Sequence, residues 1–128
     1  MNSLPLVILK QVFVIEDDDD LRVLLQVTIE ALGIGVKTFS EVNEFLRERN
    51  GLCDLYVIDL HLPGISGLVF CRELKSDERT KNIPVIVISG DRNIGRLATK
   101  AYANDYLLKP FDQTMIAEKI MLHLTSFN

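Results

Sequence analysis

Five short apolar runs alternate along the chain with segments whose apolar residues recur at helical spacing. After the first run, for example, Leu21, Leu25 and Ile29 lie four positions apart, as on one face of a helix. This alternation predicts five strand–helix units, and hence an α/β fold with a parallel sheet covered by helices on both faces. The five predicted strands are Gln11–Ile15, Gly35–Phe39, Leu55–Ile58, Pro84–Ile88 and Tyr106–Leu108.

Polar residues and glycines mark where the helices begin and end. Asp18 or Asp19 is placed to cap the first helix and Gly33 to end it, while Asp112 is placed to cap the last. Ser40 is expected to cap the second helix, which is expected to end near Asn50-Gly51. No linker, repeat or low-complexity stretch interrupts the pattern, so residues 1–128 are expected to be one domain with its core at about residues 11–127.

Composition narrows the class of protein. The 128 residues include 14 basic and 18 acidic side chains, a net charge of −4 that gives no electrostatic footprint for nucleic acid. No apolar stretch approaches the ~20 residues of a membrane span. The apolar stretch Leu4–Leu9 is closed by Lys10 without a preceding basic region, so it is not interpreted as a signal peptide. Cys53 and Cys71 lack metal-binding spacing and are expected to be reduced, buried thiols of a cytoplasmic protein.

Four of the predicted strands end in charged or hydroxyl-bearing residues. Glu16 and Asp17 follow the first, Asp59 the third, Ser89 the fourth and Lys109 the fifth. Ligands of open α/β sheets bind at the carboxyl ends of the strands, so these side chains are expected at one edge. Taken singly, an acid can cap a helix, a serine can begin one and a lysine can be solvated. Their joint placement favours a functional site.

The chemistry of this group indicates phosphoryl transfer. Glu16, Asp17 and Asp59 would repel one another at one edge, and Mg²⁺ prefers such oxygen ligands together with phosphate oxygens. Asp59 is then the candidate nucleophile, as carboxylates are in aspartyl-phosphate chemistry. Lys109 would place a positive charge on the phosphoryl oxygens and Ser89 a hydroxyl donor.

These motifs, in this order, resemble the receiver domain of two-component response regulators. The resemblance covers the chain from Gln11 onward, and the combination of motifs is highly specific. It rests on Glu16-Asp17, Asp59 with Pro63-Gly64 and Gly67, Ser89-Gly90, and Tyr106-Leu107-Leu108-Lys109-Pro110-Phe111.

The family implies a three-layer flavodoxin-like fold of five strand–helix units, with parallel strand order 2-1-3-4-5. It also implies Mg²⁺-dependent transfer of phosphate to Asp59 from a phosphohistidine on a histidine kinase or histidine phosphotransfer protein. Asp17 would bind the metal directly, Glu16 directly or through water, and the main-chain carbonyl of His61 would complete the protein ligands. The Lys109-Pro110 peptide is expected to be cis. Such a domain is a signalling module and not an enzyme, since it catalyses only its own phosphorylation and dephosphorylation.

The resemblance further implies a switch. Ser89 would move toward the phosphoryl group and Tyr106 would turn inward, which changes the face made by the fourth helix, fifth strand and fifth helix. Asp105 and Lys119 occupy positions that pair across a symmetric homodimer on this face in related receivers. The His61 side chain is expected to be neither base nor metal ligand, and His123 has no suggested role.

Two departures from the family pattern fall on this face. The segment from Ser89 to Lys109 is shorter than usual, and Tyr102 stands where a glycine commonly ends the fourth helix. Glycine is preferred there because it tolerates a positive φ. Both departures lie on the output face and not at the chemical site.

Two other classes of protein stay open on sequence alone. One is an aspartate-nucleophile phosphatase of the haloacid-dehalogenase type, although Asp17-x-Asp19 lacks the following threonine and room for a cap. The other is a pseudo-receiver, an interaction module that is not phosphorylated. No DNA-binding or enzymatic effector is encoded within the 128 residues, so the chain is either a stand-alone receiver or part of a longer regulator.

Overall fold

The computed structural model describes residues 10–48 and 50–125. The segment Ser3–Leu9, which precedes the expected core, lies outside the described residues. Strands and helices alternate in the described part of the chain, as the sequence predicts. The elements are β1 (Gln11–Ile15), α1 (Asp19–Ala31), β2 (Gly35–Phe39), α2 (Val42–Arg47), β3 (Leu55–Asp59), α3 (Gly67–Ser76), β4 (Val85–Ser89), α4 (Ile94–Lys100), β5 (Asp105–Leu108) and α5 (Gln113–Leu124).

The strands form one parallel sheet in the order β2-β1-β3-β4-β5. This confirms the predicted three-layer flavodoxin-like fold and its strand order. The order reverses between β1 and β3, so a crevice opens at their carboxyl ends, where such folds bind ligands. The register places Ile15 beside Ile58 and Asp59 beside Ile88. The residues that end these strands therefore lie at one edge.

Alternate residues of each strand face opposite helical layers, because side chains of a strand point alternately to its two sides. Phe13 and Ile15 pack in a cluster with residues of α2, α3 and α4. Val12 and Val14 pack in a second cluster with residues of α1 and α5. β3 and β4 are buried along their whole length. Because both strands are packed on both sides, the positions of their last residues are fixed.

The helix boundaries mostly follow the predicted signals. The Asp18 side chain accepts a hydrogen bond from the Leu21 N–H at 3.0 Å, and that of Asp112 accepts one from the Met115 N–H at 2.9 Å. Gly33 has a φ of 79°, in the left-handed region that favours glycine after a helix. None of the helices in the described part of the chain is long and apolar enough to span a membrane.

The predicted boundaries of the second helix were wrong. The residue that caps α2 is Glu41, whose side chain makes no capping hydrogen bond. Ser40 instead donates its N–H and hydroxyl to Glu44 Oε1, at 2.6 and 3.1 Å. The helix ends at Arg47 and not near Asn50-Gly51, because the Glu48 N–H turns back to the Phe45 carbonyl at 3.2 Å.

Candidate functional site

Asp59 is the last residue of β3 and is only 4% exposed. Its Oδ1 accepts a hydrogen bond from the His61 N–H at 3.0 Å, and its Oδ2 accepts one from Lys109 Nζ at 2.9 Å. A buried carboxylate is costly unless it is paired and hydrogen-bonded. Both conditions are met here, so Asp59 is fixed in position and charged.

Glu16 follows β1 and is fully buried. Its Oε2 accepts a hydrogen bond from the Asp18 N–H at 3.0 Å. Its Oε1 lies 2.9 Å from Lys109 Nζ as an ion pair, but within residues 10–48 and 50–125 it has no hydrogen-bond partner of good geometry. Lys109 thus faces two carboxylates, and one oxygen of Glu16 is left under-satisfied.

The pKa values of these three groups depend on one another. Burial raises the pKa of Glu16 to about 7, against the opposing effect of Lys109. Burial would also raise the pKa of Asp59, but the neighbouring Glu16, the His61 N–H and Lys109 together hold it below its ordinary value. Burial opposes the charge of Lys109, yet the two carboxylates raise its pKa above the ordinary value. The single ammonium group of Lys109 therefore pairs with two carboxyl groups, and a further positive charge would be stabilised at the site.

Asp17 adds a third carboxylate, which is exposed at the mouth of the site. Glu16, Asp17 and Asp59 each offer one oxygen within 4.8 Å of the others. Oxygen ligands of this kind, with one or two carboxylates and an open side, suit Mg²⁺. The under-satisfied Glu16 Oε1 points to the same conclusion, so the residues present fit a hard divalent cation.

His61 is held in place by its main chain, since its N–H donates to Asp59. Its Nε2 lies 3.7 Å from Asp91 Oδ2. Ser89 is buried at the end of β4, where its Oγ accepts a hydrogen bond from the Asp91 N–H at 3.0 Å. Its carbonyl accepts one from the Lys109 N–H at 2.8 Å. The main chain thereby sets Ser89 beside Lys109.

The peptide between Lys109 and Pro110 is cis, as expected. Gly67, the first residue of α3, meets the main chain of Asp59 closely. A Cβ at this position would lie 1.8 Å from the Asp59 carbonyl oxygen. Only a glycine allows α3 to begin this close to the end of β3.

Tyr106 points outward and is 44% exposed. Its hydroxyl lies beside Gly95 on α4, where a Cβ would come within 3.3 Å of it. Tyr102 has a φ of 59°, the conformation for which glycine is usual at the end of a helix. The Arg72 guanidinium of α3 lies 5.5 Å from the centre of its ring. The strained residue is therefore held against a neighbouring helix.

Asp105 is paired within the chain. Lys119 Nζ donates to its Oδ1 at 2.8 Å, and His123 Nε2 lies 2.9 Å from its Oδ2. Burial opposes ionisation, but Lys119, His123 and the Tyr106 N–H together lower the pKa of Asp105. The role of His123 was missed from the sequence, although its position four residues after Lys119 puts both on one helix face.

Comparisons with known proteins identify the family of the chain. A family model described as the response regulator receiver domain matches residues 12–121. The phosphate regulon transcriptional regulatory protein PhoB of Rhizobium meliloti is 36% identical over 121 residues, which cover 89% of this chain and 52% of PhoB. The response regulator protein TodT of Pseudomonas putida is 34% identical over 103 residues, 78% of this chain and 44% of TodT. The chain spans about half the length of these curated relatives.

Solved structures show the same fold. The BeF3-activated receiver domain of DrrB, a Thermotoga maritima protein, superposes with a TM-score of 0.84 at 25% identity, over 93% of this chain and 100% of that one. The chemotaxis response regulator CheY4 of Vibrio cholerae superposes with a TM-score of 0.83 at 18% identity, over 91% of this chain and 99% of CheY4, a likeness of fold alone.

The fold and the strand-end site define a CheY-like signalling domain. The chain belongs to the response regulator receiver family of two-component systems. It is therefore a signalling domain and not a haloacid-dehalogenase-type phosphatase, in which the nucleophile follows the first strand rather than the third.

Proposed function

We propose that this receiver accepts a phosphoryl group on Asp59 in a Mg²⁺-dependent reaction. The donor is a phosphohistidine on a histidine kinase or histidine phosphotransfer protein. The observation that carries the proposal is the buried Asp59 carboxylate, which is paired with Lys109 and stands next to two further acids. A site with excess negative charge at an open crevice is suited to a cation and to an incoming anion.

In the proposed step, an oxygen of Asp59 attacks the phosphorus atom. A P–O bond forms, the P–N bond of the phosphohistidine breaks, and the imidazole leaves with the electron pair. The Lys109 ammonium, already 2.9 Å from Asp59 Oδ2, stabilises the negative charge of the phosphoryl oxygens. The Ser89 hydroxyl then donates a hydrogen bond to one of these oxygens.

Glu16, Asp17, Asp59 and the main-chain carbonyl of His61 would hold the Mg²⁺ ion. When bound, Mg²⁺ supplies positive charge that screens the carboxylates and the phosphoryl group from each other. The convergence of the carboxylate oxygens of Glu16, Asp17 and Asp59 within 4.8 Å supports the roles given to Glu16 and Asp17.

The proposed output is a change in the face made by α4, β5 and α5. Ser89 would leave its contact with the Asp91 N–H, and Tyr106 would turn from its place beside Gly95 into the space that Ser89 vacates. A homodimer through this face is a further proposal. It would have to compete with the pairing of Asp105 within the chain.

We also propose that residues 1–128 represent one receiver domain with its core at about 11–127, in support of which the family model matches residues 12–121.

The proposed partner on the input side is a histidine kinase or histidine phosphotransfer protein, and the proposed location of the domain is therefore the cytoplasm. Direct contact with nucleic acid is not proposed for this domain, given its net charge of −4. The relative PhoB is a transcriptional regulatory protein, so an output activity would belong to a further segment or partner.

The test uses a small phosphodonor. The wild type and an Asp59→Asn variant are incubated with Mg²⁺ and acetyl phosphate, and the intact mass of each is recorded. A phosphoryl adduct on the wild type alone supports the proposal. Absence of an adduct with this donor and with a phosphorylated kinase would favour the pseudo-receiver, a module that is not phosphorylated.

A further inference from the structure

Arg22 of α1 contacts the acidic turn that follows β1 without touching the carboxylates of the site. Its NH1 donates to the main-chain carbonyl of Glu16 at 2.9 Å and to that of Asp17 at 3.5 Å. Its NH2 donates to the side chain of Asp19, which lies outside the carboxylate cluster. The Arg22 side chain is 21% exposed, whereas that of Asp19 is 85% exposed.

The main chain of Arg22 is fixed to the same turn. Its N–H donates to the Asp18 carbonyl at 2.9 Å, in the first turn of α1. Asp18 in turn caps the helix and donates its own N–H to Glu16 Oε2. Arg22 therefore closes a ring of contacts around the two residues that carry the Glu16 and Asp17 carboxylates. The single terminal nitrogen NH1 donates to both carbonyls, while NH2 donates to Asp19, a division of donors that the planar guanidinium allows.

This choice of partners matters for the site. A cation bonded to the carboxylates would compete with a metal for the same oxygens. Because Arg22 uses main-chain oxygens instead, Glu16 and Asp17 keep their side-chain oxygens directed toward Asp59, within 4.8 Å of one another. Groups that orient metal ligands in this way contribute strongly to metal affinity.

We infer that Arg22 is a positioning residue for the cation site, which holds the Glu16–Asp17 turn so that the carboxylates converge. The inference rests on the proposed function, since it assumes that the site binds Mg²⁺. It goes beyond that function by assigning a role to a residue outside the strand-end site.

The positive charge of Arg22 and its contacts to the carbonyls are expected to have opposite effects on the affinity for Mg²⁺. Removal of a nearby positive charge alone would strengthen the binding of a cation. Loss of the contacts to the carbonyls would weaken it, by roughly tenfold if Arg22 acts like other groups that orient metal ligands. An Arg22→Lys variant keeps the charge, but its nitrogen ends one bond short of the position of NH1 and loses the contacts to the carbonyls, so it separates the two effects.

The experiment is a calorimetric titration of the metal-free full chain with MgCl2, combined with thermal unfolding. The variants are Arg22→Gln, Arg22→Lys and, as a matched control, Asp19→Asn, which removes the exposed partner of Arg22 but leaves its contacts to the carbonyls. We expect Arg22→Gln and Arg22→Lys to weaken Mg²⁺ binding roughly tenfold and the control to change it less than about twofold.

Mg²⁺ binding by Arg22→Gln that is as tight as in the wild type, or tighter, would overturn the inference. A loss of thermal stability without a loss of Mg²⁺ affinity well below the melting temperature would also overturn it, because a purely structural role gives that result. If Arg22→Gln does not fold, Arg22→Lys decides. A wild type that binds no Mg²⁺ would instead refute the proposed function.

Discussion

Substitution of Gly67 by alanine is expected to damage both stability and the site. The added Cβ would lie 1.8 Å from the Asp59 carbonyl oxygen, 2.7 Å from its carbonyl carbon and 2.9 Å from Ile58 Cγ2. An ordinary contact between carbon and oxygen is about 3.3 Å, so the start of α3 or the end of β3 must retreat by about 1.5 Å. Both are main-chain segments between buried layers, which yield less readily than a side chain.

The expected cost is about 1–3 kcal/mol of unfolding free energy, the range for overpacked interiors. A displacement of about 1 Å at a reacting group can slow a reaction ~100-fold, so phosphorylation of Asp59 should fall by that order. Urea unfolding followed by circular dichroism measures the first effect, and the rate of adduct formation measures the second.

Gly90→Ala is the matched control, because no atom lies within 4 Å of its added Cβ. Its unfolding free energy should stay within about 0.5 kcal/mol of the wild type. The reasoning is refuted if Gly67→Ala is as stable as the control and is phosphorylated at the wild-type rate.

Three further changes probe other parts of the molecule. Burial raises the pKa of Glu16 from an ordinary 4.5 to about 7, so its contribution to stability is present below pH 4.5 and is lost as the pH rises through about 7. In metal-free buffer, Glu16→Gln should therefore gain about 1–3 kcal/mol relative to the wild type between about pH 5 and 8, as measured by urea unfolding. Tyr102→Gly should be about 1 kcal/mol more stable than Tyr102→Ala, because alanine keeps the strain of the positive φ and glycine removes it. Asp105→Ala should lose about 1–2 kcal/mol at neutral pH, because Lys119 and His123 lose their partner.

For each of these three predictions, a specific result would contradict the physical reason given. A difference between Glu16→Gln and the wild type that does not vary with pH would show that Glu16 titrates as an exposed acid does. Equal stability of the two Tyr102 variants would mean that the loop relaxes without cost. An Asp105→Ala variant no less stable than an exposed control, Asp20→Asn, would mean that the pairs contribute nothing.

Much of the fold could be predicted because the apolar pattern is unambiguous. β3 and β4 are continuous apolar runs, typical of central strands buried on both faces, and α1 has an acid at its start and a glycine after its end. α2 was harder to predict. It has six residues, and its boundaries depend on hydrogen bonds of Ser40, Glu44 and Glu48 that several polar residues could have made equally well.

The same distinction applies to the candidate site. Asp59, Glu16 and Lys109 could be placed because parallel strands bring their ends to one edge. The contacts of Arg22 and His123 could not, since both act from helices whose rotation toward the sheet is set by packing. Asp105 illustrates this: within the chain it contacts both Lys119 and His123 of α5, and only Lys119 was singled out from the sequence.

The most direct test of the central claim is to identify the residue that carries the phosphoryl group. After incubation with Mg²⁺ and a phosphorylated histidine kinase or phosphotransfer protein, reduction with borohydride converts an acyl phosphate to an alcohol, and peptide mass spectrometry then locates the changed residue. We expect conversion of Asp59 alone, and only when Mg²⁺ is present. Conversion of Glu16 or Asp17 instead, or of no residue in a protein that binds Mg²⁺, would contradict it.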